Sequence, residues 1–179
     1  MFTILYILSL RSLIRSIVPR DISFCAPYIR ETMPQIEKEY IDTGKLKHVF
    51  MDFPLPMHRE AMKASEAALC GGDQGRFWEL HDRLFANQNA LGPEALSKHA
   101  ETLGLDMTKF QECLDSGKHA AEIKAAMAEG QKAGVTGTPA FLLGFIESDG
   151  KVKATKKISG AVPYANFKAT IDEMLSSKK

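Results

Sequence analysis

Between residues 134 and 141 the chain reads Gly-Val-Thr-Gly-Thr-Pro-Ala-Phe, and no other stretch narrows its backbone choices as tightly. Gly134 and Gly137 supply free backbone, and Pro139 removes one hydrogen-bond donor while pushing Thr138 toward extended geometry. The Thr138-Pro139 bond is also of the kind that goes cis cheaply, at about 0.5–1 kcal/mol against about 2.5–4 for other residues. Two readings follow. One is an entry turn for an apolar strand, Ala140–Ile146. The other is a loop at a strand mouth that offers the backbone groups of Thr138 to a passing extended peptide.

What surrounds this loop is ordinary globular sequence. A chain of 179 residues is long enough for one domain with a real core, or for one domain carrying an insertion. Its net charge of +1 gives no argument for nucleic acid or an anionic surface as partner. Cys25, Cys70 and Cys113 stand far apart, and His48, His58, His81, His99 and His119 are scattered singly. No zinc spacing is present, so neither a metal nor another cofactor is expected.

Residues 1–24 differ in composition from the rest. Met1–Arg20 has three arginines, three serines and no acid. Its apolar run, Phe2–Leu10, is far short of the ~20 residues a spanning helix needs, and Arg11 and Arg15 follow that run where a secretory signal puts its charge first. An Arg- and Ser-rich, acid-poor stretch resembles an organelle transit peptide; Leu13–Val18 also reads as a first strand ended by Pro19. Both readings stand.

From Ala26 the pattern turns helical, with Ile29, Met33, Ile36 and Tyr40 at helical spacing, a kink expected at Pro34, and a stop at Thr43-Gly44. Lys45–Phe53 alternates, with Leu46, Val49 and Phe53 separated by polar residues, and reads as a strand ending at Pro54-Leu55-Pro56. Five helices follow: Arg59–Cys70 ended by Gly71-Gly72, Arg76–Gln88, one opened by Gly92-Pro93, Met107–Ser116 capped by Asp106, and Ala120–Gly130. Trp78 and His81 read as core residues, His81 hydrogen-bonded. Strand Ala140–Ile146, a turn at Asp149-Gly150, strand Lys151–Ser159 and a final amphipathic helix complete the order. A strand–helix–strand half and a hairpin–helix half, separated by helices, predict an α/β fold: a small mixed sheet interrupted by a helical insertion.

That order, carried on CAPYIRETMPQIEKEYIDTG, FPLPMHREAMKASEAALCGGDQGRFWELHDRLF, FQECLDSGKHAAEI, GVTGTPAFLLG and ISGAVPYANFKATIDEML, resembles the DsbA-like branch of the thioredoxin superfamily. The resemblance implies a thioredoxin-like fold from residues 25–56 and 135–179, with 57–134 as an inserted all-helical domain and Thr138-Pro139 as the cis-proline loop that binds substrate. It implies thiol–disulfide exchange with polypeptide substrates, a redox partner protein, and an extracytoplasmic (periplasmic) setting, with no nucleic acid, cofactor or transmembrane segment.

The family's motif is C-x-x-C at the start of the first long helix, where backbone N–H groups and the helix dipole favour a thiolate. The first thiol attacks and the second, more buried, resolves the mixed disulfide. Here the second position is Cys25, followed by the Ala26, Tyr28, Glu31, Thr32 and Pro34 of the family pattern, but the first position is Ile22. Three accounts of this departure stay open: a variant without the attacking thiol, a misplaced start or shifted frame, and Cys25 working alone. Two other functions share the fold: a non-catalytic peptide-binding or chaperone module, and a kappa-class glutathione transferase using Ser23. Cys70 and Cys113 each lie on the inward face of an insertion helix, and read equally as a structural disulfide or as two buried thiols.

Overall fold

A computed structural model of the chain describes residues 2–7, 28–147 and 152–177. These fall into two compact units, one built from residues 2–7, 28–51, 136–147 and 152–177, the other from residues 52–135.

The first unit is a four-stranded mixed sheet with two helical elements. Strands β1 (Phe2–Ile7), β2 (Leu46–Met51), β3 (Ala140–Ile146) and β4 (Val152–Ser159) lie in the order β2-β1-β3-β4. β1 pairs antiparallel with β2, Phe2 opposite Met51, and parallel with β3, Thr3 opposite Phe141. β3 and β4 pair antiparallel, Ala140 opposite Ser159.

The described first strand is thus drawn from the apolar run at the start of the chain. The strand expected at Leu13–Val18, the motif positions Ile22 and Cys25, and the turn Asp149-Gly150 lie outside the described residues. A single helical crossover ordinarily joins parallel strands; here β1 and β2, on either side of the first helical element, are antiparallel.

That element, α1, is kinked in a specific way. It consists of π-helical Tyr28–Thr32, one α-turn Met33–Ile36, and π-helical Glu37–Ile41. Pro34 sits in the short α-turn, where it has no N–H to give to the carbonyl four residues back, and wider π-turns flank it. Met33, Ile36 and Tyr40 are buried, as their spacing predicts. They meet α7 (Tyr164–Ser176), which buries Phe167, Ile171 and Met174. A polar clamp closes the seam: the Tyr40 hydroxyl donates to Asp172 Oδ1 at 2.7 Å, and Lys168 Nζ donates to Glu39 at 3.1 Å and to the Tyr40 oxygen at 3.3 Å.

In β2 the inward residues are Leu46 and His48, with Val49 only half-buried. Strand side chains alternate with period two, so Leu46 and Val49, three residues apart, lie on opposite faces of the strand.

The second unit holds α2 (Ala61–Gly72), α3 (Phe77–Ala86), α4 (Pro93–Thr102), α5 (Met107–Ser116) and α6 (Ala120–Lys132). Its core joins Ala67, Cys70, Leu80, Leu96, Phe110 and Leu114. α2 takes in Gly71-Gly72 and ends at Gly72, so the pair closes the helix as expected, two residues past the expected bound at Cys70. A Cβ on Gly71 would lie 2.9 Å from Leu80 Cδ2, so the missing side chain serves close approach of α3. Reversal falls to Gly75, in the left-handed region at φ +76°. Asp106 caps α5, its carboxylate accepting from the N–H groups of Thr108 and Lys109 at 3.1 and 3.2 Å. His81 is buried at 3% exposure, with its ring against Phe85 and Nδ1 3.1 Å from Asp82.

Candidate functional site

Within the first unit, the sheet brings the loop before β3 to the beginning of α1. The Thr138-Pro139 peptide bond is cis. Pro139 is buried and Thr138 half-buried, and the Pro139 carbonyl accepts from the N–H of Gly160 at 2.8 Å. Gly160 has φ +81°, a conformation that favours glycine and turns the chain out of β4 toward α7. Among the described residues, none hydrogen-bonds to the backbone of Thr138. That backbone is therefore in a position to pair with an added extended strand.

Tyr28 opens α1 and is the packing link to this loop. Its ring lies 4.4 Å from that of Phe141 and 5.4 Å from that of Phe167, while Phe141 and Phe167 meet edge to face at 4.8 Å. All three are at most 1% exposed. Aromatic clusters of this kind couple a large apolar area to a defined ring geometry. The Tyr28 hydroxyl donates to Met33 Sδ at 3.1 Å, and burial pushes its phenol far above the ordinary range. One turn on, the Thr32 hydroxyl donates to the Val162 carbonyl at 3.4 Å. So Tyr28 and Thr32 dock the start of α1 on β3 and on the segment that leads into α7.

Among the residues singled out from sequence, Thr138 and Pro139 thus share one face of the first unit with the start of α1. Cys25 and Ile22 precede Tyr28 in the chain and lie outside the described residues, as does Ser23. Cys70 and Cys113 belong to the second unit and are bonded to each other, with Cα atoms 5.9 Å apart at a sequence separation of 43. That separation is inside the range a disulfide requires. They join α2 to α5, beside the pair in which Lys63 Nζ reaches buried Glu66 at 2.6 Å and the Leu114 carbonyl at 3.0 Å.

In the sequence Tyr28 shows only as a position of the pattern that follows Cys25, with no packing role attached to it. Sequence reasoning passed over Asp73 and His119, which come from different turns of the second unit and gather beside the disulfide. No local spacing joins residues 46 apart in sequence.

A protein-family model described as Thioredoxin matches residues 23–173. Among curated proteins, the chain is 35% identical over 121 residues to the Na(+)/H(+) antiporter NhaA 3 of Salinispora tropica, covering 67% of this chain and 19% of that protein. It is 27% identical over 133 residues to a Rickettsia prowazekii protein described as a putative protein-disulfide oxidoreductase, covering 70% of this chain and 47% of that protein. The chain therefore spans about a fifth of the antiporter relative and about half of the rickettsial one. Among solved structures, Wolbachia pipientis alpha-DsbA1 superposes with a TM-score of 0.69 at 23% identity, over 98% of this chain and 86% of that one. Pseudomonas aeruginosa DsbA2 superposes with a TM-score of 0.61 at 18% identity, over 96% and 88%. The structural matches, at these identities, speak for the fold. Among the described residues, no helix is long and apolar enough to cross a membrane.

Proposed function

The chain belongs to the thioredoxin family, in its DsbA-like form, and from that premise we propose that it binds extended polypeptide against Thr138 and Pro139 for thiol–disulfide exchange. Cys25 occupies the resolving position of the redox motif, and Ile22 stands where the attacking cysteine belongs. The observation that supports this reading is the contact of Tyr28 with Phe141. Tyr28 follows Cys25 by three residues and Phe141 follows Pro139 by two, and three residues of chain reach at most about 11 Å.

The chemistry the motif needs is simple. A thiolate attacks one sulfur of a substrate disulfide, the other sulfur leaves as a thiolate, and the second thiol of the motif resolves the mixed disulfide. With Ile22 in the first place there is no attacking sulfur at the helix start. A lone thiol at the resolving position of such a motif is a poor nucleophile where apolar surroundings raise its pKa. Dithiol activity of the chain as it stands is therefore low, and peptide binding is what remains.

The test is insulin reduction by the chain beside its Ile22→Cys variant. The variant is expected to reduce insulin at least on the order of 100-fold faster. Equal rates, with the unmodified chain fully active, would overturn the reading of position 22. The peptide-binding module is the second reading, favoured by Ile22 together with the unengaged Thr138 backbone. It predicts that affinity for an unfolded cysteine-free peptide survives Cys25→Ser unchanged.

A further inference from the structure

Beside the Cys70–Cys113 bond stands a group of side chains that exchange at the α1 motif does not use. His119, immediately before α6, brings a ring nitrogen within 4.8 Å of both sulfurs, and among the described residues this is the one such gathering of metal-ligating side chains. His119 Nε2 is 3.0 Å from Asp73 Oδ2, and that oxygen is 3.5 Å from Cys113 Sγ. The opposite nitrogen, Nδ1, faces Glu122 Oε2 at 3.2 Å. Lys118 Nζ also reaches Asp73 Oδ2, at 2.9 Å.

We propose that reduction of the Cys70–Cys113 bond turns this cluster into a zinc site, with the two thiolates, His119 Nε2 and the Asp73 carboxylate as its four ligands. The donor set is one zinc takes: two sulfurs, an imidazole and a carboxylate oxygen. Zinc–ligand bonds of about 2.0–2.3 Å put the ligand atoms of a tetrahedron about 3.3–3.8 Å apart. The Asp73–His119 and Asp73–Cys113 separations of 3.0 and 3.5 Å are already near that spacing, and one His119 ring nitrogen lies within 4.8 Å of each sulfur. The two sulfurs, now bonded, must part, and the His119 ring must close on them by up to about 1–1.5 Å to reach that spacing. Glu122 supplies what a ligating histidine ordinarily has behind it, a carboxylate that accepts from the other ring nitrogen and fixes the tautomer. Cys70 is 1% and Cys113 9% exposed, which shields the sulfurs, while the half-exposed Asp73 gives the ion a way in. Lys118 must yield its place on Asp73, and its side chain, 57% exposed, is free to swing into water.

The step balances with a dithiol as reductant. Two electrons pass to the Cys70–Cys113 bond, each sulfur takes one proton, and the dithiol closes to its own disulfide. Zinc then displaces both thiol protons to solvent. Bound metal in turn holds the two thiolates against reoxidation.

The test uses the full chain carrying Cys25→Ser, so that Cys70 and Cys113 are its only thiols. The reduced protein is titrated with Zn²⁺ against a chromophoric chelator under anaerobic conditions, beside the oxidised protein. The expected result is one zinc per reduced chain, none per oxidised chain, and affinity lowered on the order of 10–100-fold or more by either His119→Ala or Asp73→Asn. Co²⁺ in place of zinc is expected to give the tetrahedral spectrum with sulfur-to-metal charge transfer. Unchanged thermal midpoints of the oxidised variants show that each still folds. Equal uptake by oxidised chain, no uptake by reduced chain, or reduced-chain affinity indifferent to both substitutions would each overturn the proposal.

Discussion

At the scale of single residues, Tyr28 and Asp52 show how differently burial acts on a ring and on a charge. Tyr28 contributes mainly area, because its hydroxyl meets only the weakly accepting sulfur of Met33. Tyr28→Phe should therefore leave stability within about 1 kcal/mol, while Tyr28→Ala should cost about 3–5 kcal/mol in urea unfolding by opening a cavity among Phe141 and Phe167. Asp52 is buried, and burial pushes its carboxyl up, against the opposing hydrogen bond from Ser65 at 2.6 Å. A carboxyl raised on folding favours the fold while it is protonated. That contribution is whole below its unfolded value, near pH 4, and is lost as pH rises through the higher folded value. Asp52→Asn keeps an acceptor for Ser65 and removes the charge. Its melting temperature should exceed that of the parent at pH 7, with the gap shrinking toward zero as pH falls to about 4. Neither residue was legible beforehand: Tyr28 shows only as a motif position, and Asp52 as one acid at the end of a strand.

Elements were far more legible, because periodicity reports on local faces. Met107–Ser116 with its Asp106 cap and Ala140–Ile146 match their expected bounds, and the other helices end within a few residues of expectation. Packing was less legible: Gly71, in the last turn of α2, also serves the close approach of Leu80, and His48 is buried in β2 while Val49 is only half-buried. Gly144 is a further case of packing. A Cβ there would fall on the Lys153 carbonyl oxygen and 2.7 Å from Ala154 Cα, both backbone of β4, at the register shift of the β3–β4 pair. Gly144→Ala should destabilise the first unit by about 1–3 kcal/mol or more, read as a lowered urea midpoint. In the second unit, the Cys70–Cys113 bond closes a loop across 43 residues between α2 and α5. Replacing both by alanine should lower stability by about 2–4 kcal/mol, checked by denaturant unfolding of parent and variant under non-reducing conditions.

For the molecule as a whole, what was readable and what was not divide at Cys25. Downstream, patterning and motif agree: α1, the helical unit, the hairpin and α7 stand in the expected order, and the family match runs over residues 23–173. Upstream, composition alone left a strand and a presequence unresolved. The described β1 comes from a run whose alternation is too weak to mark it as a sheet strand, and it pairs antiparallel with β2. A strand's partner and direction are set by tertiary pairing, which local pattern does not encode. The proposed exchange of disulfides against Thr138 and Pro139 requires the sulfur of Cys25 to lie within reach of the Thr138-Pro139 loop. The direct measurement is crosslinking of a Thr138→Cys variant by a short bis-maleimide, with Cys70 and Cys113 held in their disulfide, followed by peptide mapping. The account predicts an intramolecular bridge between Cys25 and the introduced thiol in most chains. Two thiols each singly labelled, with no bridge, would contradict it.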